Sequence, residues 1–413
     1  MPIAHHLKLA GRVLLRHKGF TAVSLFTIAA TLLVVSTAAA LLDEVFGHRP
    51  PETRLDRAVG LLAMGSYGER GGQSSGPGYG FLDRHMRDLP GVAEQSFFTV
   101  PNRASAYVDG DKVNLFVKRT DGAFWRVFDL RFLEGAPFTD DDERDRNFVA
   151  VVSAAMRDKL LGGGTAVGRW IEVDGQRFRV TGVVEDVPIV KLLPAADVWV
   201  PISTARSERY KSEYVGGFMA VFVAAVPEAL PGIRAEIQRR IQTTTSPNRD
   251  FPVLAGGADT KFEAVSRMLF ASRLDRSHPG NLRALLIGLG VVFMLLPAVN
   301  LTNLNVSRVA ERAAEIGVRR AFGAPRRALL GQFLLENLVV SLLGGALGFL
   351  FSGLTVAAIN ASGFVPHLDL SLNLRVAGWT LAGTVLFSLL SGLWPAYRMS
   401  RLAPSTALAG GPR

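Results

Sequence analysis

Four stretches of this 413-residue chain carry no charged side chain over lengths that decide its fold. Gly19 to Leu42 and Ala284 to Ser307 hold 24 residues each, Asn337 to Pro366 holds 30, and Val376 to Tyr397 holds 22. A helix needs about 20 apolar residues to cross the hydrocarbon core of a bilayer, so each run is long enough. None alternates with period two, which argues against the strands of a membrane barrel. In the first run Ala38-Ala39-Ala40 offers small residues to a signal peptidase. Signal-peptide apolar regions are about 7–15 residues long, so this longer run reads as an uncleaved anchor. Before it, Leu7, Leu9, Val13, Leu14 and Leu15 interleave with Lys8, Arg12 and Arg16, the pattern of an amphipathic surface helix. Glu336, a single acid near the start of the third run, reads as an interfacial carboxylate satisfied by Arg326 or Arg327 rather than as a proton relay.

The net charge of +10 is a topology signal. Segments 1–42, 306–327 and 398–413 together hold 13 Lys/Arg against 2 Asp/Glu, whereas residues 43–281 hold 31 against 32. The excess positive charge thus sits in short segments beside apolar runs, which places those segments in the cytosol. It is no nucleic-acid footprint, and no nucleic-acid partner is expected. The predicted fold is a membrane α-helical protein of four transmembrane helices. An α+β extracytoplasmic domain, in two subdomains, is inserted between helices 1 and 2. The expected order is a cytosolic amphipathic helix (1–19), a span (20–42), the outer domain (43–281), a second span (282–306) and a cytosolic elbow (307–328). A third span (329–357), a short external loop (358–374), a fourth span (375–397) and a cytosolic tail (398–413) complete it. Both termini are then cytosolic and the lipid bilayer is the chain's solvent.

Within the outer block, residues 71–80 are rich in Gly and Ser and read as a flexible passage. Phe81 to Leu89 reads as a short helix stopped at Pro90-Gly91. Ala104 to Val108 and Val113 to Val117 read as a hairpin about Asp109-Gly110, and Arg169 to Val173 and Phe178 to Val184 as another about Asp174-Gly175. Phe148 to Val152 reads as a strand feeding a helix from Ser153 to Leu161, with a further strand at Phe218 to Val226 and a helix at Ile233 to Ile241. No catalytic constellation emerges. Cysteine is absent, which excludes disulfides, thiolate metal sites and cysteine nucleophiles. None of the eight lysines follows a glycine, so no phosphate loop of the Gly-Lys-Ser/Thr type is present. Gly162-Gly163-Gly164 is expected to make a turn. Asp140-Asp141-Asp142-Glu143 lacks the alternating ligands of a calcium loop and reads as a solvated acidic turn. No catalytic, cofactor-binding or metal-ligating residue is expected, and the chain reads as a non-enzyme.

The most informative stretch is 300–348. The second span runs directly into a charged helix, Ser307 to Phe322, ended by Gly323-Ala324-Pro325. Glu315 stands four residues before Arg319, the favourable order for a helical ion pair. A helix that breaks there and re-enters the membrane presents an exposed elbow on which a cytosolic partner can sit.

On these residues the chain resembles the MacB/FtsX-like family of ABC-transporter permeases. The matching features are Glu311-Arg312, Glu315-Ile316-Gly317, Arg319-Arg320-Ala321, Gly323-Ala324, Gln332-Phe333-Leu334, Glu336 and Gly344-Gly345-Ala346-Leu347-Gly348. Gly392-Leu393-Trp394-Pro395-Ala396 with Arg398, Arg401-Leu402 and Pro404 resembles the family's closing motif, and Phe148 to Val184 is similar to its periplasmic domain. The resemblance implies a bacterial inner-membrane permease that pairs with a second permease subunit, as a homo- or heterodimer. ABC ATPases drive it, and an adaptor on the periplasmic side is possible within the family. No ATPase domain is read in this chain, so a separate polypeptide is expected to hydrolyse ATP and to hold ATP and Mg. Its expected docking surface is Arg308, Glu311, Arg312, Glu315, Ile316, Gly317, Arg319, Arg320, Gly323 and Ala324, while Gly344, Gly345 and Gly348 are expected to pack helices. The implied function is coupling of ATP hydrolysis to movement of the periplasmic domain, for export of a peptide, antibiotic or other periplasmic substrate. Release of lipoproteins and mechanical signalling to a cell-wall hydrolase are the alternatives.

Overall fold

The computed structural model describes residues 18–108, 110–311, 318, 322, 325–363 and 366–400. The chain falls into two units, a helical one from Met1–Asp43, Ala284–Phe364 and Leu370–Arg413, and an α+β one from Glu44–Arg283 with Val365–Asp369.

Each charge-free run becomes one long helix, because a helix is the one single-segment structure that satisfies its own backbone in hydrocarbon. These are α1 (Lys18–Phe46), α8 (Pro279–Glu311), α9 (Arg326–Ser362) and α10 (Leu374–Ser400), numbered along the chain with the shorter helices below. Among the described residues, Thr21–Phe46, Pro279–Asn300 and Leu330–Ser362 are long and apolar enough to cross a membrane, and Leu374–Leu390 is a shorter apolar stretch. α9 runs past residue 357 to Ser362 and is closed by Gly363 at φ 61°, the left-handed conformation that suits glycine at a helix end. Asn373 then caps α10 by accepting from the backbone N–H of Arg375 at 3.1 Å. The polarity of this unit is inverted relative to a water-soluble bundle. Ile287, Leu296, Leu350 and Leu386 are exposed, while Ser24, Ser341, Ser352, Thr384 and Ser388 are buried. Some buried hydroxyls find partners on their own helices: Ser352 donates to the Gly348 carbonyl at 2.7 Å and Thr384 to that of Thr380 at 2.9 Å.

The α+β unit holds two sheets. Ten strands form the larger: β1 (Ala58–Leu61), β4 (Val92–Thr99), β5 (Asn102–Val108), β6 (Asp111–Thr120), β7 (Phe132–Gly135), β8 (Val149–Ser153), β9 (Trp170–Val173), β10 (Gln176–Val184), β11 (Val198–Pro201) and β13 (Phe218–Ala224). Their order is β1-β13-β4-β6-β11-β8-β10-β7, with β5 on β6 and β9 on β10. Pairing is antiparallel except for β6 with β11 and β8 with β10. β8 and β10 are joined by the crossover helix α5 (Ala154–Leu161), capped by Ser153, whose hydroxyl accepts from the Met156 N–H at 3.3 Å. Gly162, Gly163 and Gly164 follow, all with φ between 68° and 80°, so the triple glycine is a left-handed exit turn rather than a phosphate cradle. Asp174-Gly175 sits at the tip of the expected β9–β10 hairpin and Gly110 follows β5 in the turn to β6, while Asp109 lies outside the described residues.

The smaller sheet has four strands in the order β12-β3-β2-β14: β2 (Met64–Gly68), β3 (Gly71–Pro77), β12 (Val215–Gly216) and β14 (Val253–Gly256). β3 corrects the expectation of a flexible passage at 71–80. It pairs in register with β2 from Met64↔Ser75 to Gly68↔Gly71. Its glycines serve close approach: a Cβ on Gly76 would collide with the Phe218 carbonyl oxygen of the larger sheet.

One cluster joins the two sheets. Helix α6 (Leu230–Thr243) buries Ile233, Ile237 and Ile241, four residues apart on one face. They pack with Phe97 and Phe222 of the larger sheet and Met64 and Leu254 of the smaller. A second cluster is aromatic, with Phe98, Phe124, Phe128, Phe138 and Trp199 all buried. Burying one such ring stabilises by about 1.5–3 kcal/mol.

Candidate functional site

Three places in the chain concentrate features that packing alone does not require. The first is a seam in the helical unit. Added Cβ atoms at Gly344 and Gly348 would lie 2.8 Å from Ile28 and 2.7 Å from Leu32 of α1, and one at Gly345 would strike Leu381 of α10. The three glycines therefore stand where neighbouring helices come closest, which is what small residues permit between helices in a bilayer. Hydroxyl and amide groups tie the same helices together. Ser341 donates to Ser388 across α9 and α10 at 2.6 Å, and Asn300 of α8 donates to Thr27 of α1 at 2.8 Å. Glu336 is buried on α9 and accepts from Gln332 Nε2 at 3.0 Å, one turn earlier on the same helix. The side chains of Arg326 and Arg327, its expected partners, lie outside the described residues.

The second place is the elbow. α8 continues through Arg308 to Glu311, and α9 begins at Arg326 after Pro325. Arg312, Glu315, Ile316, Gly317, Arg319, Arg320, Gly323 and Ala324 lie outside the described residues, as do the side chains of Arg308 and Glu311. Between the two helices Val318 is helical and Phe322 stands in a turn, its N–H donating to the Val318 carbonyl at 3.1 Å. Phe322 is 89% exposed. Phe322 lies within the expected elbow but outside the expected docking set.

The third place is a cleft of about 650 Å³ in the α+β unit, lined from α2 (Tyr79–His85) and the turn after it, from β4, from α3 (Phe124–Val127) with Asp121, and from α4 (Asp140–Arg144). Its floor is Phe97 and Leu89, with Tyr79 edge-on to Phe97 at 6.5 Å. Asp121 accepts from Ser96 Oγ and the Phe97 N–H, both at 2.7 Å, and from the Phe124 N–H at 3.1 Å, locking β4 to the start of α3. Burial pushes its pKa up to about 6 against these hydrogen bonds. Burial likewise pushes Glu143 up to about 7, although it accepts from the Ser203 N–H at 3.0 Å and from Ser203 Oγ at 3.2 Å. Tyr79 is raised to about 12 by the same cause.

The acidic run is thus a helix rather than a solvated turn. Thr139 and Asp142 close a capping box at its start, Asp140 pairs with Arg126 at 2.9 Å, and Glu143 is drawn inward. The Thr139–Asp142 spacing carried that signal in the sequence.

Other buried charges in this unit are structural. Lys191–Glu44, Lys261–Glu52 and Arg267–Asp259 pair at 3.2, 2.6 and 2.6 Å. Lys118 is fully buried, held well below the usual lysine range by burial, and donates to the carbonyls of Leu192 and Leu193. Among the described residues no group of His, Asp or Glu is arranged to hold a metal ion.

Long apolar helices carrying an inserted α+β unit define a membrane protein with a domain outside the bilayer. The profile of the MacB-like periplasmic core domain matches residues 21–240, more than half of the chain, and that of the FtsX-like permease C-terminal region matches 287–404. The chain belongs to the MacB/FtsX-like family of ABC-transporter permeases. It is 30% identical over 298 residues to the macrolide export ATP-binding/permease protein MacB of Chromobacterium violaceum, covering 72% of this chain and 44% of that protein. With the uncharacterized ABC transporter permease YknZ of Bacillus subtilis it shares 22% identity over 335 residues, 79% of each chain. The chain spans less than half the length of the MacB relatives from C. violaceum and Pasteurella multocida. The solved periplasmic region of MacB from Actinobacillus actinomycetemcomitans is similar at 17% identity and a TM-score of 0.31, covering 48% of this chain and 90% of that one.

Proposed function

We propose that this chain is the permease subunit of an ABC system in a bacterial inner membrane, with four spans and both termini in the cytosol. In this reading an ABC ATPase on a separate polypeptide holds ATP and Mg and docks on the elbow 308–325. Its closure moves the helices, and through them the periplasmic unit, of two permease subunits. The work is export of a peptide, antibiotic or other periplasmic substrate. The observation that carries the reading is the exposed Phe322 at a break between two membrane-length helices, in a segment with six Lys/Arg and two Asp/Glu over 306–327. An exposed aromatic residue in an arginine-rich stretch of sequence has the composition of a protein contact centre. Gly317 and Gly323 would let the partner's backbone approach, while Arg320, Arg326 and Arg327 would meet acids on the ATPase or lipid phosphates.

Co-purification of the ABC ATPase, followed by ATP hydrolysis of the assembled complex, tests this. Gly317→Trp is expected to abolish docking without affecting membrane insertion, because the position lies outside the apolar runs. Charge reversal at Glu315 acts more mildly, since a helical ion pair contributes only about 0.2–0.5 kcal/mol. Reversal at Arg413 does nothing. A stably inserted Gly317→Trp protein with full ATPase binding and activity reduces the elbow to a connector.

A further inference from the structure

Helix α7 (Lys261–Phe270) ends polar inside and apolar outside. Ser266 and Arg267 are buried, while the next three residues, Met268, Leu269 and Phe270, are exposed, Met268 at 57% and Leu269 at 61%. The inward pair is anchored. Arg267 meets Asp259 at 2.6 Å and donates to the Leu274 carbonyl at 2.7 Å, and Ser266 Oγ accepts from the His278 N–H at 3.0 Å. Rotation of the helix therefore cannot bury the three residues that follow. Consecutive large apolar side chains held outward in this way mark a contact with protein or with membrane.

Both ends of α7 are fixed where the chain meets the bilayer. At its start, Lys261 Nζ donates to the Val45 carbonyl at 2.6 Å, and the Phe262 ring stands edge-on to Phe46 at 5.3 Å. Val45 and Phe46 are the last two residues of α1. The Arg283 guanidinium, near the start of α8, lies over the same Phe262 ring at 5.9 Å. At its end, the bond from His278 to Ser266 holds the last turn of α7 beside the residue that precedes α8. Arg283 closes the charge-free run 284–307, and His278 stands five residues before it. Such a helical stretch rises about 7.5 Å, about the depth of one headgroup layer beyond the hydrocarbon. Ile189 and Leu192 are exposed on either side of buried Lys191, whose bonds to Glu44 at 3.2 Å and to the Pro50 carbonyl at 2.8 Å hold them by the end of α1. Between Ala271 and Arg283 the exposed Arg273, Arg276 and Arg283 stand against one acid, Asp275, a charge that lipid phosphates complement. We infer that α7 is an interfacial helix, its Met268-Leu269-Phe270 end embedded in the headgroup and acyl boundary of the leaflet that faces the α+β unit, with Ile189 and Leu192 as a second point of contact. Lipid rather than a second copy of the chain is the occupant, because the patch is continuous with two membrane-length helices and flanked by cations. The inference rests on the reading that α1 and α8 cross the bilayer, and not on the elbow or its ATPase.

The test uses the full chain in phosphatidylcholine nanodiscs. Because the sequence has no cysteine, Leu269→Cys and Ile287→Cys each carry one nitrobenzoxadiazole label, the second at an exposed apolar position inside the charge-free run of α8. Emission is compared with and without lipid bearing a nitroxide near the top of its acyl chains. The nitroxide is expected to cut emission about twofold at both positions, since an interfacial helix buries its apolar face about 5–10 Å into the boundary. Adding Met268→Asp and Phe270→Asp is expected to restore most of the emission at Leu269→Cys. Quenching at Ile287→Cys with full emission at Leu269→Cys overturns the inference and leaves the span standing. A blue-shifted but unquenched label at Leu269→Cys, the sign of a second copy over the patch, overturns it equally. So does quenching that the two aspartates leave unchanged, which is proximity without insertion. Full emission at both positions overturns the inference together with the span. If the Leu269→Cys protein does not fold, a label at Met268→Cys, with Leu269→Asp and Phe270→Asp as the added pair, is read by the same criteria.

Discussion

The two units of this chain reach a packed interior by opposite routes. In the α+β unit the interior is large and aromatic, with Phe97, Phe98, Phe124, Phe222 and Trp199 fully buried and the sheets brought together because water is excluded from those rings. In the helical unit the largest apolar side chains are on the outside, and the contacts between helices are made by Gly344, Gly345, Gly348, Ser341 and Ser388. Hydrocarbon gives no reward for burying leucine, so close backbone approach and interhelical hydrogen bonds take over. The same residue type thus reads differently in the two solvents. A glycine run in α9 marks where another helix lies against it, and glycines in β3 mark where another strand does.

The contrast can be broken at single positions. Arg267→Ala leaves Asp259 buried without its cation and is expected to cost the α+β unit about 3–5 kcal/mol in denaturant unfolding, with the helical unit unchanged. A next effect, about 3 kcal/mol, belongs to pH. Asp121 has a folded pKa of about 6 against 3.8 ordinarily, so the native state holds its proton more tightly than the unfolded chain. The stability this brings is complete below about pH 4 and is lost as pH rises through 6. Glu143 adds a further loss up to about 7. Unfolding measured from pH 4 to 8 should show this decline, and Asp121→Asn should remove the part that ends near pH 6. Gly348→Leu crowds Leu32 and Ala29 and is expected to cost about 1–3 kcal/mol, read as loss of thermal stability of the helical unit in detergent. Ser388→Ala removes one interhelical hydrogen bond worth about 0.6 kcal/mol and should be detectable only in a double-mutant cycle with Ser341→Ala.

Much of this architecture was legible where the signal is local. Charge-free runs marked the helices, Asp174-Gly175 marked a two-residue hairpin, and the spacing of Ile233, Ile237 and Ile241 marked the face that α6 buries. What escaped was long-range. β1 pairs with β13 across more than 150 residues, and nothing in Ala58–Leu61 indicates its partner. β3 reads as a linker because pairing, not propensity, makes Gly71–Pro77 a strand. The cleft escaped for the same reason: Glu94, Asp121 and Glu143 belong to separate segments that only the fold brings together. Its acids are individually unremarkable in sequence.

The claim on which the proposed role depends is that the turn between α8 and α9 is where the ATPase sits. Because the chain contains no cysteine, a single Phe322→Cys substitution gives one thiol and a clean background. The measurement is crosslinking of that protein to its ABC ATPase with a short thiol-to-amine reagent, alongside Leu133→Cys, an exposed position in the α+β unit, as the comparison. The account predicts a crosslinked product from Phe322→Cys, lost when Gly317→Trp is added, and none from Leu133→Cys. Crosslinking that is absent at Phe322→Cys in an assembled, ATP-hydrolysing complex, or equal at both positions, would contradict it.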